Sequence, residues 1–184
     1  LMTTWNGFDR VPDNHELFVG RPNTWGQRSA NILLSQSDLI IVLGSRLGLQ
    51  QTGFNWKNWT SGRVVQVDID AAELEKGHPE IAIRLCADAN AVLSGLVAQN
   101  HRLELNPEWI RFCREVRTLI PAIDPMNTNS DQFLSPFQLV EQLSERMEEN
   151  EILIPASSGS GQFIPMQVDS VMKDGSTCAS WGMR

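Results

Sequence analysis

Cysteine is scarce in this chain, and the three present fall into no working arrangement. Cys86, Cys113 and Cys178 stand far apart, with no CxxC and no Cys/His spacing of the kind that holds a metal. They read as reduced thiols of a cytoplasmic protein. Positive charge is also short: 15 Lys and Arg face 22 Asp and Glu, a net −7, which argues against nucleic acid or an anionic membrane as partner. No apolar run approaches the roughly 20 residues that span a bilayer, and the first residues lack the pattern of a signal peptide. His15, His78 and His101 stand singly in predicted turns or loops, and no Ser-His-Asp or Cys-His nucleophile system is visible. There is no internal repeat and no low-complexity tract.

What is present is a regular alternation of strand and helix signals. Arg63 to Asp70 (RVVQVDID) is an apolar strand that ends on two carboxylates with a helix start directly behind them. Asp38 to Gly44 (DLIIVLG) is a continuous apolar run closed by glycine, the pattern of a parallel strand buried on both faces. Between them, Ser45 to Gly62 is rich in Gly, Gln, Asn and Trp and reads as a functional loop at a strand's carboxyl end. Ala71 to Lys76 predicts a short helix and Ile81 to Cys86 a third strand, with Asp88 as cap of a helix running through Leu96. This order predicts an α/β fold with an open parallel sheet flanked by helices. Further on, Asn106 to Ile120 has helical apolar spacing, Pro121 to Asp131 reads as linker, and Leu134 to Met147 is a second amphipathic helix with Ser135 as N-cap and Pro136 at its first position. Glu151 to Pro155 closes the series as a buried strand.

Acids at the end of such a strand have two readings. Asp68 and Asp70 suit contact with the ribose or pyrophosphate of a nucleotide, and they equally suit capping of the turn and helix that follow. Arg46 suits a phosphate or a structural ion pair. Gly20, Gly26 and Gly44 read first as backbone requirements. Trp25, Trp56 and Trp59 flank the loop and suit either stacking on a ring or packing in the core or at a subunit interface.

The landmarks come in a recognisable order. A glycine-led turn precedes a helix with Ala30 and Asn31, then an aspartate opens the strand that ends in Leu43 to Arg46. Thr52 and Gly53 follow, then the acidic strand end, then Ala87 and Asp88 before the next helix. This series resembles the central domain of thiamine diphosphate enzymes of the acetolactate synthase, pyruvate oxidase and benzoylformate decarboxylase superfamily. The resemblance implies a Rossmann-like domain over residues 1–104, a helix and linker over 105–133, and the start of the thiamine diphosphate-binding domain over 134–184. The opening, Leu1 to Pro12, resembles the end of that central domain's second strand. The chain is therefore expected to be an internal piece, truncated at both ends, of a protein about three times longer built from domains of about 150 to 200 residues.

The same resemblance carries expectations about chemistry. The parent is expected to use thiamine diphosphate and Mg²⁺ on a 2-oxo acid, by decarboxylation and transfer of the carbanion equivalent, as a homodimer or homotetramer. Gly159, Ser160 and Gly161 are expected at the diphosphate, where glycines and hydroxyls can cradle an anion, and Gly182 and Met183 near the thiazole. Ser157 stands where the family has Asp, and Gly161 where it has His, which sets the stretch apart from authentic acetolactate synthases. Neither the catalytic glutamate of the N-terminal domain nor the Gly-Asp-Gly metal motif occurs, so no catalytic residue is assigned and the piece alone is expected to be inactive. Gly44, Ser45, Arg46, Asp68, Asp70 and Asp88 are the candidates for FAD or ADP in the central domain. The alternative is a nucleotide-binding or purely structural module without catalysis. Leu47 to Gln51 lacks the second arginine and the acids that acetolactate synthases carry there, which weakens the FAD expectation. Loss of a leading strand and helix is expected to leave the sheet flank uncovered and the chain marginal on its own, or ordered through association.

Overall fold

The computed structural model describes residues 1–7, 10–100, 104–148 and 151–154, and the backbone of a strand at 177–178. The elements are α1 (Arg28–Gln36), β1 (Leu39–Leu43), β2 (Arg63–Asp68), α2 (Ala71–Glu75), β3 (Ile83–Cys86), α3 (Ala89–Ala98), α4 (Pro107–Leu119), α5 (Pro136–Arg146), β4 (Ile152–Leu153) and β5 (Thr177–Cys178). The chain resolves into two compact units, one of Ile32–Phe112 and one of Leu1–Asn31 with Cys113–Arg184.

The first unit holds the parallel sheet, in the order β1-β2-β3. Its register aligns Ile41 with Val65 and Val65 with Ile83 in one row, and Val42 with Gln66 and Arg84 in the next. Because successive side chains alternate between faces, the even-numbered residues of β1 and β2 share one side. That side carries the core: Val42, Leu47, Val64 and Ile81 form a buried cluster with Ile40 and Trp59 packed against it. Each such side chain removed from water contributes about 1.5–3 kcal/mol.

The opposite face departs from expectation. The uniformly apolar run of β1 predicts burial on both sides, yet Leu39 and Ile41 are 50% and 56% exposed and Ile83 and Leu85 are also exposed. Helix α3 buries none of its own residues. On the central strand β2, by contrast, Val67 of the same face is buried.

Local sequence explains where the elements stop. Asp70 caps α2 through Ala72 N–H, and Asp88 caps α3 through Ala91 N–H, as their positions predict. Strand β3 begins two residues later than the sequence suggests. Ile81 is drawn into the core just after the cis His78–Pro79 bond, and Ala82 N–H already reaches Val64 O.

In the second unit, α4 buries Cys113 and Val116, and α5 buries Val140 and Ser144. Pro136 starts α5 with Ser135 at the cap position, although the Ser135 side chain makes no capping bond. Trp5–Gly7 form a 3₁₀ turn rather than the end of a strand. Strands β4 and β5 pair in parallel, Ile152 with Thr177 and Leu153 with Cys178. No helix among the described residues is long and apolar enough to cross a membrane.

Candidate functional site

The carboxyl ends of the three strands converge on the site that the sequence singles out. Gly44 leaves β1 with φ +61°, a left-handed conformation natural to glycine, while its N–H donates to Val67 O at 2.9 Å. A Cβ there would lie 3.3 Å from that of Ala89, so the turn runs close to the start of α3.

The next three residues are clamped from below by polar groups of β2 and α2. Gln66 Nε2 donates to Ser45 O at 3.2 Å. Leu47 N–H donates to Glu73 Oε1 at 3.0 Å, and Lys76 Nζ donates to Leu47 O at 2.9 Å and also to Glu73 Oε1. Gln66 Nε2 lies 3.4 Å from the same carboxylate oxygen. Gln66 is fully buried and Glu73 nearly so. Burial works to raise the Glu73 pKa, but the bonds from Lys76, Leu47 and Gln66 outweigh it and hold the carboxyl below its ordinary value. Sequence reasoning missed this trio. Its signals were a glutamine in the middle of an apolar strand and a Glu/Lys pair three apart on a short helix.

Between the anchored residues, Arg46 points outward. Its Nη2 lies 3.1 Å from Asp70 Oδ2, with the two side chains 72% and 43% exposed. A pair so open to water is worth about 0–1 kcal/mol, so it places the guanidinium without locking it. Asp70 Oδ1 accepts from Ala72 N–H at 3.0 Å, and Asp68 Oδ1 accepts from Asp70 N–H at 2.9 Å. Asp88 Oδ1 accepts from Ala91 N–H at 2.9 Å, and Ala87 N–H donates to Asp68 O. The structure thus brings Gly44, Ser45, Arg46, Asp68 and Asp70 together at the ends of β1 and β2, with Asp88 just beyond β3.

This donor set suits some parts of a nucleotide better than others. Three carboxylates with free lone pairs can accept from ribose hydroxyls. A pyrophosphate would meet one exposed cation that already has a carboxylate beside it. The residues present would suit the sugar of FAD or ADP better than its phosphates, toward which Arg46 could turn.

The other residues named from sequence scatter. Gly159, Ser160, Gly161, Gly182 and Met183 lie outside the described residues, so the expected thiamine diphosphate cradle has no geometry here. Trp59 belongs to the core, Trp56 is partly exposed and contacts the His78 ring at 5.3 Å, and Trp25 is exposed in the other unit. His15 accepts from Leu17 N–H at an exposed turn. No group of three or more His, Cys, Asp or Glu among the described residues could hold a metal.

Comparison with known proteins adds a family. Residues 1–96 match the family model described as thiamine pyrophosphate enzyme, central domain. The chain is 31% identical over 151 residues to an acetolactate synthase of Mycobacterium bovis, covering 79% of this chain and 24% of that protein. It is 30% identical over 146 residues to the acetolactate synthase isozyme 1 large subunit of Escherichia coli K12, covering 78% and 25%. It is 26% identical over 152 residues to the pyruvate oxidase of Lactiplantibacillus plantarum, covering 83% and 25%. The chain spans about a quarter of the length of these curated relatives.

Proposed function

The chain belongs to the thiamine pyrophosphate enzymes, whose central domain it matches, and on that footing we propose that it works as part of a thiamine diphosphate- and Mg²⁺-dependent enzyme acting on a 2-oxo acid. The supporting observation is that similarity to acetolactate synthases and a pyruvate oxidase runs over about four-fifths of the chain, well past the central-domain match. The assignment divides the chain into a central domain at 1–104, a helix and linker at 105–133 and the beginning of the cofactor-binding domain at 134–184. Gly159, Ser160 and Gly161 would hold the diphosphate and Gly182 and Met183 the thiazole region. The cofactor supplies the carbanion chemistry, and the protein orients it and excludes water. The working form is a cytoplasmic homodimer or homotetramer, and the 184 residues alone have no activity.

The test compares thiamine diphosphate-dependent CO2 release from pyruvate and larger 2-oxo acids by the protein translated from the native gene and by the 184-residue chain. Turnover that needs both thiamine diphosphate and Mg²⁺ in the former, and none in the latter, is expected. Absence of cofactor-dependent turnover with every 2-oxo acid would remove the reading.

A second reading is favoured by the clamped loop at Ser45 to Leu47. A backbone anchored by three polar side chains, with an exposed guanidinium and carboxylates at its rim, suits a nucleotide-binding module that holds ADP or FAD without taking part in the chemistry. Titration with ADP, followed by loss of binding in Arg46→Gln and Asp68→Asn, tests it. No saturable ADP binding would leave the module purely structural, and binding unchanged in both variants would remove Arg46 and Asp68 from the nucleotide site.

A further inference from the structure

The unit of Leu1–Asn31 and Cys113–Arg184 contains a cavity of about 450 Å³ that plays no part in either reading above. Gln27 and Ser29 form one wall, and Arg114, Arg117 and Thr118 of α4 another; the turn Ile120–Ile123 and Glu141 complete it. Residues 114, 117 and 118 fall on one helix face because positions three and four apart are neighbours.

Three observations define what the cavity takes. Ser29 is only 6% exposed as a residue and lines the cavity wall. A hydroxyl at a cavity wall can donate to a ligand or to water. Ser29 also lies in the first turn of α1, where backbone N–H groups have no helical acceptor and the helix dipole favours negative charge.

Second, the two arginines differ. Arg117 is committed: Nη1 donates to Phe18 O at 2.5 Å, and Nη2 lies 3.7 Å from Asp13 Oδ2. Arg114 is exposed and has no carboxylate at ion-pair distance among the described residues, so its fork is available. Third, Ile120, Pro121, Ala122 and Ile123 line the remainder, with no aromatic ring for a base to stack on.

We propose that this cavity binds a small organic carboxylate with a short aliphatic body. Arg114 takes the carboxylate through paired N–H bonds, which the planar guanidinium suits. The Ser29 hydroxyl donates to the oxygen nearer α1, and the aliphatic body lies against Ile120–Ile123. A dianionic phosphate is disfavoured, because Arg117 already serves Phe18 and Asp13 while Glu141 adds negative charge to the wall. The site is independent of the proposed function and of the strand-end site.

The experiment is an NMR titration of the 184-residue chain with isobutyrate, repeated with the neutral isobutyramide and with inorganic phosphate. Saturable shifts with a Kd on the order of 1–10 mM are expected for so small a ligand. Arg114→Gln should weaken binding by about tenfold or more, and Ser29→Ala by about threefold to tenfold. Arg114→Lys, which keeps the charge and loses the fork, should fall between wild type and Arg114→Gln. Isobutyramide should not saturate, and phosphate should not displace isobutyrate. Unsaturable shifts up to about 50 mM, a ceiling set by the expected Kd range, would overturn the proposal. So would affinity unchanged in Arg114→Gln, or phosphate binding more tightly than isobutyrate.

Discussion

Replacing Glu73 with alanine should cost far more than its place on a five-residue helix suggests. Its carboxylate oxygen accepts from Leu47 N–H, Gln66 Nε2 and Lys76 Nζ at once. In Glu73→Ala, Gln66 keeps Ser45 O and Lys76 keeps Leu47 O, but the buried Leu47 N–H loses its acceptor and Lys76 its counter-charge. One orphaned buried donor costs about 1–3 kcal/mol. The lost charge adds less than a fully buried pair would, because the Lys76 side chain is 19% exposed and can turn to water. The sum is about 2–4 kcal/mol by the same reasoning. Glu73→Gln keeps an acceptor for Leu47 and should lose only about half as much. Urea unfolding, read as a shift of the midpoint at constant slope, measures both. The pH dependence has a fixed sign. The folded-state pKa of Glu73 lies below the ordinary 4.5, so its contribution is complete above that value and is lost as pH falls through the lower folded one. The stability gap between wild type and Glu73→Gln should therefore be flat from neutral pH down to the ordinary carboxylate range and close below it. A Glu73→Ala protein within about 0.5 kcal/mol of wild type, the range of an ordinary surface change, would refute the clamp.

Gly62→Ala should lower the thermal midpoint severely, since the new Cβ would sit 2.1 Å from Ser37 O and 3.0 Å from Asp38 O, backbone atoms that cannot swing away. A cost above about 3 kcal/mol is expected, and a midpoint unchanged within error would contradict the packing there. Iodoacetamide labelling mapped by mass spectrometry should modify exposed Cys86 at least about tenfold faster than buried Cys113, whose thiol pKa is raised by burial. The raised value also makes stability fall as pH climbs past the ordinary 9.0, because the folded state then holds a proton the unfolded chain has lost. Equal labelling rates would show that Cys113 is accessible. Ile41→Lys, on the exposed row of Ile41, Val65 and Ile83, should raise solubility and reduce concentration-dependent association in sedimentation, with little change in unfolding midpoint. A large loss of stability would mean that face is covered in solution.

The sequence spoke most clearly where local and long-range constraints coincide. Glycine after β1, aspartates at the starts of α2 and α3, and proline at the start of α5 each sit where backbone geometry demands them, so those boundaries were readable to within a residue or two. Burial was less readable. The run Leu39–Leu43 is apolar throughout and carries no period, so it could not say that Val42 would be buried and Ile41 exposed; neighbours decide that. The same limit hid the clamp. Gln66 is an oddity in its strand, but its partners lie at Ser45 and Glu73, and only the parallel register and the turn of α2 bring them together.

The two sequence readings of the strand-end acids turn out not to compete. A carboxylate offers two oxygens and about four lone-pair sites. Asp68 spends Oδ1 on Asp70 N–H, and Asp88 spends Oδ1 on Ala91 N–H, and neither Oδ2 has a hydrogen-bond partner among the described residues. Capping therefore does more than end a helix. By tying one oxygen to the backbone it fixes the plane of the carboxyl and points the other at a set direction, which lowers the entropy a ligand must supply on binding. Asp70 differs, since Oδ1 caps and Oδ2 already faces Arg46. A ribose would find its acceptors ready at Asp68 and Asp88, whereas a phosphate would first have to separate Arg46 from Asp70. For a nucleotide held as in the second reading proposed above, sugar would come before phosphate along this edge, because of which oxygens the backbone has already claimed.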